Sequence, residues 1–307
     1  SPIANTQLGL FGDDKTIQPE KGRPKVTANK FIINNVEDID GDGSFDLRDV
    51  ASQLKANKHN EWTPLEGDGD FQSPECIELL KKSDIVVTNP PFSLFRPYLA
   101  QLIEYGKKFC IIANKNTITN KEIFPLIQNN KLWAGTMSFS KDILFIAPEG
   151  ADLSDKPKTA IRVVDGVTYL RSPSIWVTNL DHGRRHQPLS LMTMADNLKF
   201  NKKMKGKTAY DKYDNYDAIE VPFTNAIPSD YAGVMGVPVS FIDKYNPDQF
   251  EILGSTQRGC HDKVPDTKKY DDYWEMRQDG TRTGSTGGKT NENGNLEGND
   301  GRKNYFI

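Results

Sequence analysis

Asp84-Ile85-Val86-Val87-Thr88-Asn89-Pro90-Pro91-Phe92 joins a short apolar run to a rigid turn, and Ser93 to Tyr105 follows with helical spacing. An uninterrupted apolar run bounded by turn residues reads as a buried, central strand. The two prolines restrict φ and bias the residues before them towards extended geometry. The turn therefore holds the side-chain oxygen of Asn89 and the carbonyl of Pro90 as two acceptors converging on one point. An exocyclic amino group placed there donates both hydrogens, and Phe92 stacks on the attached ring. Methyl transfer to an aromatic amine asks for this arrangement, because it needs an oriented lone pair and no strong base. The blander reading of the same residues is a strand-terminating turn, since Asn and Pro both favour turns.

Working outward, Lys30 to Val36 reads as a strand and Leu47 to Lys58 as a helix with Val50 and Leu54 on one side. Phe95, Leu99, Leu102 and Ile103 give the helix after the turn one apolar face. Phe109 to Ala113 is the next buried strand, Ile123 to Asn129 a short helix, and Lys131 to Met137 a further strand. This alternation predicts an α/β fold with a parallel, doubly wound sheet. Ligands of such sheets sit beyond the carboxyl ends of the strands, where Asn89 falls. Ile143 to Ala147, Ala160 to Val164, Val167 to Arg171 and Ile175 to Asn179 are β-rich, and Asp165-Gly166 is a hairpin turn between the middle two. The chain thus divides into a connector (1–29), a catalytic domain (30–189) and a less regular region (190–307) rich in tyrosine and lysine. Within the last, Gly280 to Gly301 has no burying pattern and reads as a flexible loop or tail.

With 307 residues the chain can bury a large core. Its 36% hydrophobic content and mean hydropathy of −0.62 describe a polar protein. No stretch approaches the roughly 18 apolar residues of a membrane span. Three scattered cysteines, Cys76, Cys110 and Cys260, suit a reducing cytoplasm better than a disulfide framework. Cys260-His261 has no second pair at zinc spacing. A net charge of −3 means that any affinity for nucleic acid must come from local patches.

Four ordered segments carry a resemblance: Asp84 to Arg96 (DIVVTNPPFSLFR), Gly67-Asp68-Gly69-Asp70-Phe71, Ile175 to His182 (IWVTNLDH) and Gly233 to Gly254 (GVMGVPVSFIDKYNPDQFEILG). Together they resemble the EcoRI-type adenine-specific DNA methyltransferases over nearly the whole chain. The resemblance implies a Rossmann-like, S-adenosylmethionine-dependent sheet with a C-terminal recognition region. It also implies methyl transfer to N6 of a flipped adenine in double-stranded DNA, in a restriction-modification setting. Asn89, Pro90, Pro91 and Phe92 would form the catalytic turn. Asp70 would accept from the amino group of the cofactor's adenine, and Phe71 would pack on that ring; apart from the resemblance, Gly67 to Asp70 is a good turn.

Lys199, Lys202, Lys203, Lys205 and Lys207, followed by Tyr210, Tyr213 and Tyr216, form the main basic patch, with Arg184 and Arg185 as a shorter one. Beside a base-modifying motif, such cations neutralise phosphates and the aromatics stack on bases. Tyrosines packed against the domain are the alternative.

Asp38, Asp40, Asp42, Ser44, Asp46 and Asp49, with Gly43 at the sixth position, follow the calcium-loop template. The twelfth position is Asp where Glu is usual, and a strand precedes the loop. A structural calcium remote from the chemistry and a solvated acidic turn are the two readings.

The family's first strand and acidic loop, which hold the methionine end of the cofactor, have no match before Asp70. An N-terminal segment or a second polypeptide is therefore expected to complete the cofactor site. The alternatives to a DNA adenine methyltransferase are a non-catalytic DNA-binding fragment, half of a split enzyme, or a methyltransferase for RNA or a protein glutamine amide. The same turn can hold any planar amino group.

Overall fold

The computed structural model describes residues 28–34, 38, 41, 43, 61–147, 150–213, 216–256, 274–276, 282–285, 294–296, 299–302 and 304–307. The expected helix at 47–58, Cys260-His261 and most of the connector lie outside them. The chain divides into two compact units, Ser1–Ser83 and Asp84–Ile307. No helix among the described residues is long and apolar enough to cross a membrane.

In the first unit, β1 (Asn29–Ile32) pairs antiparallel with β2 (Glu61–Pro64). A turn then leads into α1 (Pro74–Lys82). Ser73 caps this helix by accepting from the Cys76 N–H at 3.2 Å, and Pro74 opens it where a missing N–H costs nothing. Glu75 in the first turn and Lys81 and Lys82 in the last complement the helix dipole.

The second unit is built on a mixed sheet of four strands. β3 (Ile85–Thr88) runs through a short 3-10 turn (Phe92–Leu94) and α2 (Phe95–Glu104) into β4 (Lys108–Asn114), which it meets in parallel register. α2 buries Phe95, Leu99 and Leu102. After β4 come α3 (Phe124–Gln128) and β5 (Trp133–Ala134). β6 (Ile143–Ile146), β7 (Ile161–Val164) and β8 (Val167–Ser172) form a separate antiparallel sheet in the order β6-β8-β7. Its turn at Asp165-Gly166 is the expected hairpin: both residues have positive φ, +50° and +79°, as a type I′ turn requires. β9 (Ser174–Thr178) then returns to the main sheet.

Three expectations are corrected here. The main sheet is not wholly parallel: β9 lies between β4 and β5 and runs antiparallel to both. The cause is where β8 ends. Pro173 O accepts from the Lys115 N–H at 2.8 Å, beside the carboxyl end of β4, so the next strand has to run back from that end. The strand expected at 131–137 shortens to Trp133–Ala134. Finally, among the described residues β3 lies at the edge of the sheet with Ile85 and Val87 exposed, and the doubly buried middle belongs to β4 and β9.

Beyond residue 190 the chain is more regular than expected. Thr193 caps α4 (Met194–Phe200). β10 (Ala218–Glu220), β11 (Val234–Pro238) and β12 (Gly254–Ser255) join a four-stranded sheet. β13 (Trp274–Met276) pairs with β14 (Arg282–Ser285), and β15 (Gly294–Leu296) with β16 (Asn299–Arg302). β14, β15 and β16 occupy parts of 280–301, where a loop or tail was expected; ladder pairing satisfies backbone groups without any burying pattern, which is why the composition concealed them. β17 (Asn304–Phe306) sits between β11 and β12 and buries Phe306 against Tyr213, Tyr216 and Ala218.

Candidate active site

β3 and β4 run in the same direction, so their carboxyl ends lie side by side, and Asn89 leaves β3 at that end. Pro90 is buried, while Asn89 and Pro91 are exposed. The turn is closed by the Leu94 N–H donating to Pro91 O at 2.9 Å, and Phe95 anchors it in the core at 2% exposure. Phe92 remains 45% exposed. A rigid backbone with an exposed amide and an exposed aromatic ring is what the stacking and amine-orienting roles require.

The neighbouring strand ends in a polar network that the sequence reading missed. Lys115, directly after β4, donates from Nζ to Lys141 O and to Asp142 Oδ1, each at 2.8 Å. Arg171 donates to the other carboxylate oxygen of Asp142 at 2.7 Å and to Thr159 O at 3.2 Å. The hydrogen bond from Lys115, then that from Arg171, holds the Asp142 carboxyl below the usual carboxylate range. A lysine just beyond the apolar run Phe109 to Ala113 was the available signal.

The remaining site candidates are distributed as follows. Asp70 and Phe71 belong to the first unit. The Asp70 N–H donates to Asp68 Oδ1 at 3.0 Å, and Asp70 Oδ1 accepts from the Gln72 N–H at 2.8 Å. Asp70 is exposed, Phe71 is half-buried, and Gly69 adopts φ +78° to make the turn. One Asp70 oxygen thus steadies its own turn, and the other takes no hydrogen bond among the described residues.

Arg184 and Arg185 turn inward. Arg184 donates to Thr136 O and pairs at 3.2 Å with the buried carboxylate of Asp243. His182 Nε2 donates to Ala134 O at 2.9 Å, so this segment covers the outer carbonyls of the edge strand β5. Arg185 stacks on Trp133 at 3.9 Å and donates to Asn130 Oδ1 at 2.8 Å. Both guanidiniums therefore hold the chain together. His186 bridges Asp181 at 2.8 Å and Asp248 at 3.2 Å, and these hydrogen bonds, Asp181 first, raise its pKa.

The lysines and tyrosines of 199–216 part company. Tyr210, Tyr213 and Tyr216 are buried at 9%, 3% and 1% exposure, so the base-stacking expectation is corrected in favour of packing. Tyr210 donates to Ala226 O at 2.6 Å, and burial pushes its phenol up to about 12. Lys199, Lys202, Lys203, Lys205 and Lys207 all stay exposed. Lys199 lies over Phe200 and Lys203 over Phe223, and Lys207 pairs with Asp211.

For the calcium-like loop, Asp40, Asp42, Ser44, Asp46 and Asp49 lie outside the described residues. Asp38 spends its two oxygens on the N–H groups of Gly41 and Gly43, at 2.7 and 2.8 Å. Among the described residues no group of three or more His, Cys, Asp or Glu is placed to hold a metal ion. Nothing observed favours calcium over the acidic turn.

Comparison with known proteins adds to this geometry. The family described as adenine-specific methyltransferase EcoRI matches residues 10–303. Type II methyltransferase M.EcoRI of Escherichia coli is 52% identical over 189 residues, covering 61% of this chain and 55% of the relative. Type II methyltransferase M.MpnI of Mycoplasma pneumoniae is 38% identical over 191 residues, covering 62% and 57%. The chain spans about half the length of the curated relatives it matches. No solved structure matches it. A family match over most of the chain, alongside a relative 52% identical, shows that this chain belongs to the EcoRI-type adenine-specific methyltransferase family.

Proposed function

We propose that the whole protein methylates N6 of an adenine at a specific site in double-stranded DNA, with S-adenosylmethionine as donor. The observation that carries this is the Asn89–Phe92 turn, held rigid at the carboxyl end of a parallel strand pair with its amide and ring exposed. The base cannot reach this turn while stacked, so it has to flip out, at a cost of a few kcal/mol. Phe92 then stacks on the flipped adenine. The Asn89 side-chain oxygen and the Pro90 carbonyl accept the two N6 hydrogens, which turns the nitrogen lone pair outward. S-adenosylmethionine supplies an electrophilic methyl group, and orientation of the amine accounts for most of what the protein adds.

The donor set of the first unit suits the cofactor's adenine: Asp70 keeps a carboxylate oxygen for an amino group, and Phe71 supplies the aromatic ring next to it in sequence. The methionine end is expected to be held by a further N-terminal segment or a second polypeptide. We read the three co-directional strands β3, β4 and β5 as part of a Rossmann-like, doubly wound sheet; parallel β3-α2-β4 succession supports this. Functionally, 30–189 serve as the catalytic domain, with 1–29 as a connector. The region 190–307 serves in target recognition, its lysines at 199–207 meeting phosphates.

The test is labelled-methyl transfer to duplex DNA by the complete protein, with nucleoside analysis of the product. N6-methyladenine made by the parent and not by Asn89→Ala, with duplex binding retained, is the expected result. Label on another base, or full activity in Asn89→Ala, overturns the assignment.

A further inference from the structure

The three-stranded sheet β6-β8-β7 has no buried residue, although most of its side chains are apolar. Register places Ile146, Tyr169 and Arg162 in one row across a single face, with Val167 and Val164 in the next row. Ile146 is 68% and Val167 38% exposed. No strand residue of this sheet is acidic, and Arg162 has no ion pair among the described residues. Soluble proteins seldom leave such an apolar face open without a partner for it.

Its position narrows the choice of partner. Asp142, at the foot of β6, is tied to Lys115 at the carboxyl end of β4 and to Arg171 on β8. The sheet is therefore rooted at the end of the main sheet from which Asn89 emerges. A second copy of the chain docking about a two-fold axis would set Arg162 against its own image, since Arg171 on the same face is already neutralised by Asp142. A polyanion presenting flat apolar edges suits it better.

We infer that this face contacts the DNA duplex beside the flipped adenine, with Arg162 on a phosphate and Ile146, Tyr169, Val164 and Val167 against sugars and base edges. The inference rests on the proposed DNA substrate and adds a contact surface that the Asn89 turn and the lysine patch do not provide. The test is fluorescence anisotropy with a labelled duplex carrying the target site. It uses the parent, Arg162→Ala alone, and a combined Ile146→Ser, Arg162→Ala, Val167→Ser variant.

The combined variant is expected to bind about tenfold or more weakly, on the scale of one good base contact. Arg162→Ala, at an exposed position, should lower the salt slope by about 0.9. Equal binding by the parent and both variants overturns the inference and leaves the proposed function standing. Absence of any duplex binding by the parent overturns both. A parent that light scattering shows to be a dimer, and that becomes a monomer on combined substitution, makes a second copy the occupant and overturns the inference.

Discussion

The Asn89–Phe92 turn and the 199–216 segment are both rich in functional-looking residues, yet the fold treats them in opposite ways. At the turn, the helix behind it is buried through Phe95, Leu99 and Leu102, and the chemically useful groups Asn89 and Phe92 are left outside. In 199–216 the three tyrosines go inside, where Tyr216 packs 4.7 Å from Phe306 and 6.3 Å from Tyr213, and the lysines face solvent. Proximity in sequence made the lysines and tyrosines look like one binding patch. In space they do two jobs, one electrostatic and one of packing. A motif held by its own backbone can be read locally, whereas a patch depends on which side of the chain meets the core.

The strongest way to break this contrast is Tyr216→Ala. Truncating a fully buried aromatic should cost about 3–5 kcal/mol, and chemical denaturation would measure it. A loss below about 1 kcal/mol would mean that the ring is not core and return it to the binding surface. Asn89→Ala is the mirror image. It should leave stability within about 0.5 kcal/mol, as exposed substitutions do. It should also lower methyl transfer by about a hundredfold or more in single-turnover assays, the scale of losing alignment at the reacting atom.

Replacing Lys202, Lys203 and Lys205 by Ala should weaken all duplexes alike and lower the salt slope by about 0.9 for each phosphate that these lysines neutralise. A selective loss for one sequence would show that they read bases. The smallest effect is expected at His186, which is exposed and held between Asp181 and Asp248 with Arg185 nearby. Its folded pKa is raised, so the stabilisation is fully present below the unfolded value of about 6.5 and fades as pH climbs through the folded pKa. Melting temperature against pH should show this small fall above neutrality, and His186→Ala should abolish it.

The elements nearest the site were legible because local rules build them. A proline-fixed turn, an apolar face at helical spacing and an Asp-Gly hairpin each carry their cause within a few residues, and β3, α2, β4 and the β7-β8 hairpin formed accordingly. The insertion of β9 between β4 and β5 was not legible, because its direction follows from where β8 ends, and the Lys115–Pro173 bond that fixes this joins residues far apart in sequence. Arg184 misled for a related reason. Its buried partner Asp243 lies 59 residues away, and charge alone cannot distinguish a cation facing phosphate from one closing a sheet edge.

By itself, then, the sequence determined the family, the form of the Asn89 turn and the succession of strands and helices around it, since these rest on motifs, short-range sterics and spacing. Only the tertiary structure decided that β3 is an edge, that β9 runs backwards between its neighbours, that the tyrosines are core and that the arginines are braces. Each of those outcomes depends on which distant surface a segment meets, and burial of apolar area and satisfaction of buried polar groups settle that choice only when the whole chain is folded.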